Sequence, residues 1–280
     1  PILAGYVAGR NRGRHPATAL IMDLSGFTFM TEDLMDQGTE GAEMLSDAIN
    51  LLFSTPLARV YARGGHVASF AGDAFTAVFP GELEATAPQA LAAAREIAAF
   101  LEQHRRVETD YGRYRIGARM GIGSGHVEWG VTEGGRRNAF YVRGSAVAEA
   151  VETLEKAEVR DIILDAATFE AATAAGAPVT TRGEGSAFAL EELDPSTITV
   201  PPGAKQPAEP DEEALQAFFP PSVVGYSGRG EFRRATAVFI SVEDVEDRDE
   251  LDQAAGHILE LAEEFGGYFN LLDYGDKGHV

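Results

Sequence analysis

Apolar runs that end in an acidic residue organise the first third of the chain. The apolar residues 19–22 are followed by Asp23, Leu24 and a glycine-centred turn. This pattern predicts a strand that carries the Asp23 carboxylate near its end. A second apolar stretch at 67–79 is interrupted by Gly72 and Asp73, which is typical of a tight β-hairpin. We therefore expect Asp23 and Asp73 at strand ends, each beside a turn.

Apolar residues at spacings of three and four predict the helices that connect these strands. Helices are predicted at 31–60, 87–106, 145–157 and 166–174, and further strands at 114–127, 139–142, 160–165 and 188–193. Gly38 is expected to split the first helix, and Pro56 to prevent its clean continuation. The strand at 114–127 holds so many glycines that we expect another element to cover it closely. The order strand, helix, strand, strand, helix, strand predicts an α+β, ferredoxin-like fold.

The domain organisation is predicted from changes in composition and from one internal repeat. The sequence predicts a flexible lead-in at 1–16, a first domain at 17–193, a proline-rich linker at 194–231 and the beginning of a second domain at 232–280. A short helix at 214–219 is expected to dock within the linker. Residues 236–242 repeat the pattern of 18–24, so a strand is expected there as well. Because this repeat stops inside its hairpin, we expect the natural chain to continue.

Composition excludes several classes of protein. The 280 residues carry 23 basic and 44 acidic side chains, and a net charge of −21 argues against a nucleic-acid-binding surface. The chain has no cysteine, which excludes disulfides and thiolate metal sites and fits a cytoplasmic protein. No run approaches the ~20 apolar residues of a membrane span. An acidic chain that binds an anionic nucleotide must provide local positive charge through metal ions or a few arginines.

Two strand-end carboxylates beside an amide-lined turn are what two divalent cations and a polyphosphate require. The alternative is that Asp23 and Asp73 are ordinary turn residues, and each segment taken alone fits that interpretation equally well. The two segments together favour the metal–phosphate interpretation.

The pair of motifs resembles class III adenylyl and guanylyl cyclases. The segment Met22-Asp-Leu-Ser-Gly-Phe-Thr28 and the Gly72-Asp-Ala hairpin, with acids fifty residues apart, match the two metal-binding segments of that family. The resemblance implies a cyclase catalytic domain that converts ATP, or less favourably GTP, to a 3′,5′-cyclic nucleotide and pyrophosphate. It also implies two Mg²⁺ or Mn²⁺ ions on Asp23, Asp73 and the Leu24 carbonyl.

The resemblance also assigns a triphosphate-binding set. It comprises the turn residues Ser25, Gly26, Phe27 and Thr28, together with Arg119 in a glycine-rich segment. A lone arginine in a strand is more often a surface charge, whereas the motif match favours the triphosphate role. His126 and Trp129 are interpreted as structural residues. The tandem layout most resembles bicarbonate-regulated soluble adenylyl cyclases and their bacterial relatives, in which two domains of one chain share a site.

Several positions depart from the family pattern. Ala148 and Glu152 replace the asparagine that orients the ribose and the arginine that stabilises the reacting phosphate, so the helix is better interpreted as simply amphipathic. Ser241 replaces the first metal ligand in the repeat, and Leu271 stands where adenine-selecting relatives have a lysine. Ser69 and Val151 replace the basic residues of bicarbonate-responsive relatives, which argues against that regulation.

Two functions of different classes follow from these residues. The first is a nucleotidyl cyclase whose complementary residues come from a second domain, so that residues 1–280 alone are expected to be inactive. The alternative is a catalytically degenerate cyclase-fold module that binds nucleotide or pairs with another domain.

Overall fold

The computed structural model describes residues 2–134, 136–183, 185–200, 212–220, 224, 234–240, 247–269, 272, 274–275 and 278–279. The strands are β1 (Arg12–Ser25), β2 (His66–Ala71), β3 (Ala74–Pro80), β4 (Arg106–Glu108), β5 (Arg113–Arg115), β6 (Gly117–Gly134), β7 (Arg137–Arg143), β8 (Ile162–Asp165), β9 (Thr180–Arg182), β10 (Ala187–Glu192), β11 (Tyr274–Gly275) and β12 (Gly278–His279). The helices are α1 (Ile2–Val7), α2 (Phe27–Met35), α3 (Gly38–Ala62), α4 (Leu83–Gln103), α5 (Ser145–Glu155), α6 (Ala166–Ala174), α7 (Glu212–Gln216) and α8 (Arg248–Glu264). A 3₁₀ turn spans Pro195–Thr197.

A mixed eight-stranded sheet forms the centre of the described chain. Its strand order is β2-β3-β1-β6-β8-β10-β9, and β7 pairs with β6 outside that path. The β6–β8 pair is parallel, whereas the other pairs in this sheet are antiparallel. Strand β1 lies between β3 and β6, so both of its edges are paired near the end that carries Asp23. The α+β prediction is confirmed.

Strand β1 separates two apolar layers, because successive side chains of a strand point to opposite faces. Leu20, Met22 and Leu24 pack into the larger core, to which α2, α3 and α4 also contribute. Ala19 and Ile21 face the other way and pack against α5. Asp23 follows the same alternation and lies on the α5 face of the sheet.

The glycines of β6 allow α5 to approach the sheet, which confirms the predicted close cover. A Cβ on Gly121 would lie 2.2 Å from the carbonyl oxygen of Ala150, and one on Gly123 would lie 2.4 Å from the amide nitrogen of the same residue. Such distances are not compatible with a larger side chain unless the helix moves. Gly125 is similarly crowded by Ser145.

The predicted helices are largely confirmed, with one correction. The break near Gly38 separates α2 from α3, and α6 has the predicted bounds. Pro56 does not interrupt α3, which continues to Ala62. Pro56 is itself buried in α3, where packing against the core offsets the missing hydrogen bond. The strand predicted at 114–127 is divided at Ile116 into β5 and β6, and the sequence did not predict β4 or β9, which have three residues each.

The flexible lead-in predicted at 1–16 is wrong for the described residues. Residues 2–7 form α1, and β1 already begins at Arg12, which pairs with Gly130. The reason is tertiary, because α1 packs on the buried side chain of Trp129 and the long β6 provides a partner for every residue of β1. The docked linker helix is confirmed as α7, followed by the buried Phe218.

The strand predicted at 236–242 is not formed over 236–240, where the chain has no regular secondary structure. Val238 and Phe239 are 77% and 81% exposed there. A strand needs a hydrogen-bonded neighbour, and the described residues provide none for this segment. Ser241 and Leu271 lie outside the described residues, and the domain boundaries stay predictions. No helix within the described ranges is long and apolar enough to cross a membrane.

Candidate active site

Asp23 is held in position from both sides of its strand. It pairs with Ala74 on β3 and with Arg119 on β6. The Arg119 Nε donates to Asp23 Oδ2 at 2.7 Å, and the two side chains are 41% and 23% exposed respectively. A partly exposed, charge-assisted hydrogen bond of this length is among the stronger side-chain contacts. The first predicted carboxylate therefore already has a cationic partner.

Asp73 reaches the same point through the β2–β3 hairpin. Ala71 pairs with Ala74, which leaves Gly72 and Asp73 as a two-residue turn. Gly72 has φ = 62°, a left-handed conformation that glycine adopts without strain. The Leu24 amide donates to the Asp73 carbonyl oxygen at 3.2 Å and ties the turn to the end of β1. The structure thus brings together the two carboxylates that the sequence predicted would meet.

The turn between β1 and α2 supplies amide groups beside these acids. Gly26 has φ = 84° and caps α2, and a Cβ at this position would lie 2.3 Å from the carbonyl oxygen of Arg115. Only glycine fits this turn. Phe27 and Thr28 then begin the helix, where the first N–H groups have no acceptor within the helix and favour an anion.

The surroundings of Asp73 disfavour its ionised form. Burial raises the pKa of Asp73 above its usual value, and the neighbouring charge of Asp23 raises it further. Hydrogen bonds from its own backbone and from the Thr28 side chain, and the charge of Arg119, lower this pKa and only partly offset the rise. The sequence did not predict the hydrogen bond between the Thr28 side chain and Asp73. A cation bound between the acids would stabilise both ionised forms.

The donor set fits a hard divalent cation. Asp23 and Asp73 offer carboxylate oxygens, and Leu24, which directly follows Asp23, offers a carbonyl oxygen. Oxygen ligands of these kinds are the ones that Mg²⁺ and Mn²⁺ prefer. Within the described ranges, no group of three or more His, Cys, Asp or Glu side chains is placed to bind a metal. The remaining positions on such an ion would therefore fall to phosphate oxygens and water.

Helix α5 presents no substitute for the missing family residues. Ala148 and Glu152 are both exposed, and Glu152 Oε1 lies 3.3 Å from Lys156 Nζ. The simple amphipathic interpretation of this helix is confirmed, since its buried residues face β6 while these positions face outwards. Ser69 pairs with Thr76 on β3 and lines a small cavity together with Val147.

The two residues interpreted as structural have structural surroundings. Trp129 is 6% exposed and packs with Tyr6 and Phe218 in one apolar cluster. His126 is exposed, and its backbone N–H donates to the Ser145 side chain at 3.0 Å.

The β4–β5 hairpin beside the site was missed by sequence reasoning. Its Tyr114 hydroxyl donates to Asp33 on α2, and its Arg115 carbonyl contacts the Gly26 turn. The turn-like residues Asp110 to Gly112 between short apolar–basic alternations were the available signal.

Comparison with known proteins agrees with this geometry. No protein-family model matches the chain. The chain is 31% identical over 153 residues to adenylate cyclase type 10 of Rattus norvegicus. The aligned region covers 52% of this chain and 9% of that protein. The same extent and identity are found with the Mus musculus protein. The chain thus spans about a tenth of the length of these curated relatives.

Solved structures show the fold. The adenylyl cyclase CyaB from P. aeruginosa superposes with a TM-score of 0.55 at 19% identity, covering 65% of this chain and 97% of that one. A bacterial light-regulated adenylyl cyclase superposes with a TM-score of 0.52 at 20% identity, covering 69% of this chain and 57% of that one. The resemblance predicted from the motifs around Asp23 and Asp73 is confirmed: the chain has the catalytic-domain fold of the class III adenylyl and guanylyl cyclases.

Proposed function

We propose that the protein is a nucleotidyl cyclase that converts ATP to a 3′,5′-cyclic nucleotide and pyrophosphate. The observation that carries the proposal is the placement of Asp23 and Asp73 at adjacent strand ends, beside Arg119 and the N-terminus of α2. ATP is favoured over GTP because the relatives that are 31% identical are adenylate cyclases.

Asp23, Asp73 and the Leu24 carbonyl would hold two Mg²⁺ or Mn²⁺ ions. Bound there, such ions lower the pKa of a ribose hydroxyl and neutralise phosphate charge. Burial, and after it the neighbouring charge of Asp23, raises the pKa of Asp73, and the closeness of the two acids is the property of this chain that favours cation binding.

The residues of the chain bind and orient the triphosphate. The N–H groups of Ser25 to Thr28 donate hydrogen bonds to phosphate oxygens, as a helix N-terminus does. Arg119 exchanges its contact with Asp23 for one with the phosphates, since a bound cation neutralises the carboxylate. This positions the ribose 3′ oxygen for in-line attack on the α-phosphorus. The O3′–P bond forms, the bond to the β-phosphate oxygen breaks with its electron pair leaving on pyrophosphate, and the 3′-hydroxyl proton passes to water.

The site is completed by a second cyclase domain of the same chain. Ala148 and Glu152 are exposed on α5 and can neither orient a ribose nor stabilise the charge on the phosphate. Glu152 would place a negative charge near the transition state, which is the wrong sign. We therefore place the asparagine and arginine functions outside residues 1–193.

An assay of the protein expressed from its complete gene tests this function. It is incubated with ATP or GTP and Mn²⁺, beside Asp23→Ala, Asp73→Ala and the control Asp47→Ala, an exposed acid on α3. Wild-type and control proteins are expected to form cyclic AMP, and each site variant to lose about a hundredfold or more. Equal activity in all four proteins would refute the assignment.

The second candidate is a degenerate nucleotide-binding module, which the exposed Ala148 and Glu152 favour. Tight binding of Mn²⁺–ATP, abolished by Asp73→Ala, without cyclic nucleotide formation would support this function. Turnover sensitive to Asp23 and Asp73 would exclude it.

A further inference from the structure

We propose that Arg115, assisted by Arg106, binds the terminal phosphate of a nucleoside triphosphate held at the Ser25–Thr28 turn. This inference rests on the proposed function and adds a binding element, the β4–β5 hairpin, that the motif set does not contain.

The need for another cation follows from the charge that Arg119 can supply. Its guanidinium contacts Asp23 at 2.7 Å, and even when it exchanges that contact for the phosphates it contributes a single positive charge. A triphosphate carries several negative charges, and the chain as a whole is strongly acidic. Backbone amides contribute only partial charges. A terminal phosphate at this turn therefore calls for an arginine that no carboxylate already occupies.

Arg106 and Arg115 are such residues. They are direct cross-strand partners in the β4–β5 hairpin, and both are exposed. Among the described residues, neither has a carboxylate oxygen within 4.0 Å, whereas Arg113 on the same strand lies 3.3 Å from Glu108. Like charges directly opposite on paired strands repel each other, and an anion bound between them would relieve that repulsion.

The hairpin is fixed against the turn. The Arg115 carbonyl is the atom that a Cβ on Gly26 would meet at 2.3 Å, so the Arg115 backbone touches the proposed phosphate loop. Two residues later, Gly117 pairs with Ser25. The Tyr114 hydroxyl donates to Asp33 and the Tyr111 hydroxyl to Glu40, which hold the hairpin on α2 and α3. The backbone that carries Arg115 is thus held against the turn that begins α2.

The test compares ATP and ADP binding to the full chain with Mn²⁺ by calorimetry. Arg115→Gln is expected to weaken ATP binding about tenfold while changing ADP binding less than about twofold, because only ATP has the terminal phosphate. Arg106→Gln should have a smaller effect in the same direction, and Arg115→Lys should restore part of the affinity. Arg113→Gln is the matched control, since it removes an exposed arginine from the same face of the same strand, and it should bind both nucleotides like the wild type.

The outcomes separate this inference from the proposed function. If Asp73→Ala weakens ATP binding and Arg115→Gln does not, the function stands and the inference is wrong. Equal losses for ATP and ADP in Arg115→Gln would also overturn it, since they indicate a general disturbance of the turn. A wild-type chain that binds no Mn²⁺–ATP would overturn both.

Discussion

Arg119 on β6 lies directly opposite Asp23 on β1, and its Nε donates to the carboxylate at 2.7 Å. The guanidinium therefore occupies part of the space beside the Asp23 carboxylate that a bound divalent cation would need. Binding of a metal ion must weaken or break the contact between Arg119 and Asp23. The pair couples the proposed metal-binding and triphosphate-binding residues.

Substitution of Arg119 should separate the two kinds of binding. In Arg119→Gln, we expect Mn²⁺ alone to bind more tightly because the competing guanidinium is removed, while Mn²⁺–ATP binds about tenfold more weakly because a charge-assisted hydrogen bond is lost. Calorimetric titrations of Mn²⁺ and of Mn²⁺–ATP measure both effects. Weaker binding of the metal alone would show that Arg119 does not compete for Asp23.

The raised pKa of Asp73 predicts a pH-dependent stability. Because its folded-state pKa lies above the usual value, the folded state holds the proton more tightly, and stability falls as pH rises from the usual value through the raised one. Above that window the ionised carboxylate destabilises the metal-free fold. Asp73→Asn should therefore be slightly more stable than wild type at pH 7, by at most about 1 kcal/mol because the side chain is partly exposed.

Chemical denaturation at pH 3 and pH 7 without metal measures this difference. The gain in Asp73→Asn should be smaller at pH 3, where the wild-type acid is protonated. Asp47→Asn provides an exposed acid as a control. A loss of stability in Asp73→Asn at pH 7 would contradict the prediction.

The Thr28 side chain should tune the same carboxylate. Its hydrogen bond lowers the pKa of Asp73, so Thr28→Val is expected to raise that pKa further and shift Mn²⁺ binding to higher pH. Thr28→Ser keeps the hydroxyl and should follow the wild-type profile. Titrating Mn²⁺ affinity against pH distinguishes this effect from a loss of fold, which would lower affinity at every pH.

The close contact between β6 and α5 should not tolerate added volume. Gly123→Val would place its Cβ 2.4 Å from the Ala150 amide nitrogen and force α5 away from the sheet. We expect a loss of about 1–3 kcal/mol in the free energy of unfolding. Ala148→Ser, an exposed change on the same helix, should have little effect. Denaturant unfolding of both variants makes the comparison, and an unchanged midpoint for Gly123→Val would show that the helix can move without loss.

The sequence by itself determined most of the longer regular elements and the two acids. Asp23 ends an apolar run three residues before Gly26, and Asp73 directly follows Gly72, so local pattern and turn chemistry predicted both strand ends. The glycines of β6 likewise predicted a closely packed neighbour, because they leave no side chains to fill the space. These features depend on adjacent residues, which the sequence displays directly.

Only the tertiary structure decided what each residue contacts. The pairing of Arg119 with Asp23 depends on the register of two strands almost a hundred residues apart, and register is set by packing across the whole sheet. Pro56 lies inside a helix, and residues 2–7 and 12–16 form a helix and part of a strand, because of packing and pairing with distant elements, which local propensity does not contain. The three-residue strands of the β4–β5 hairpin carry too little pattern to be predicted, yet they bring Arg115 against Gly26. Long-range pairing, rather than any single motif, thus assembled the site.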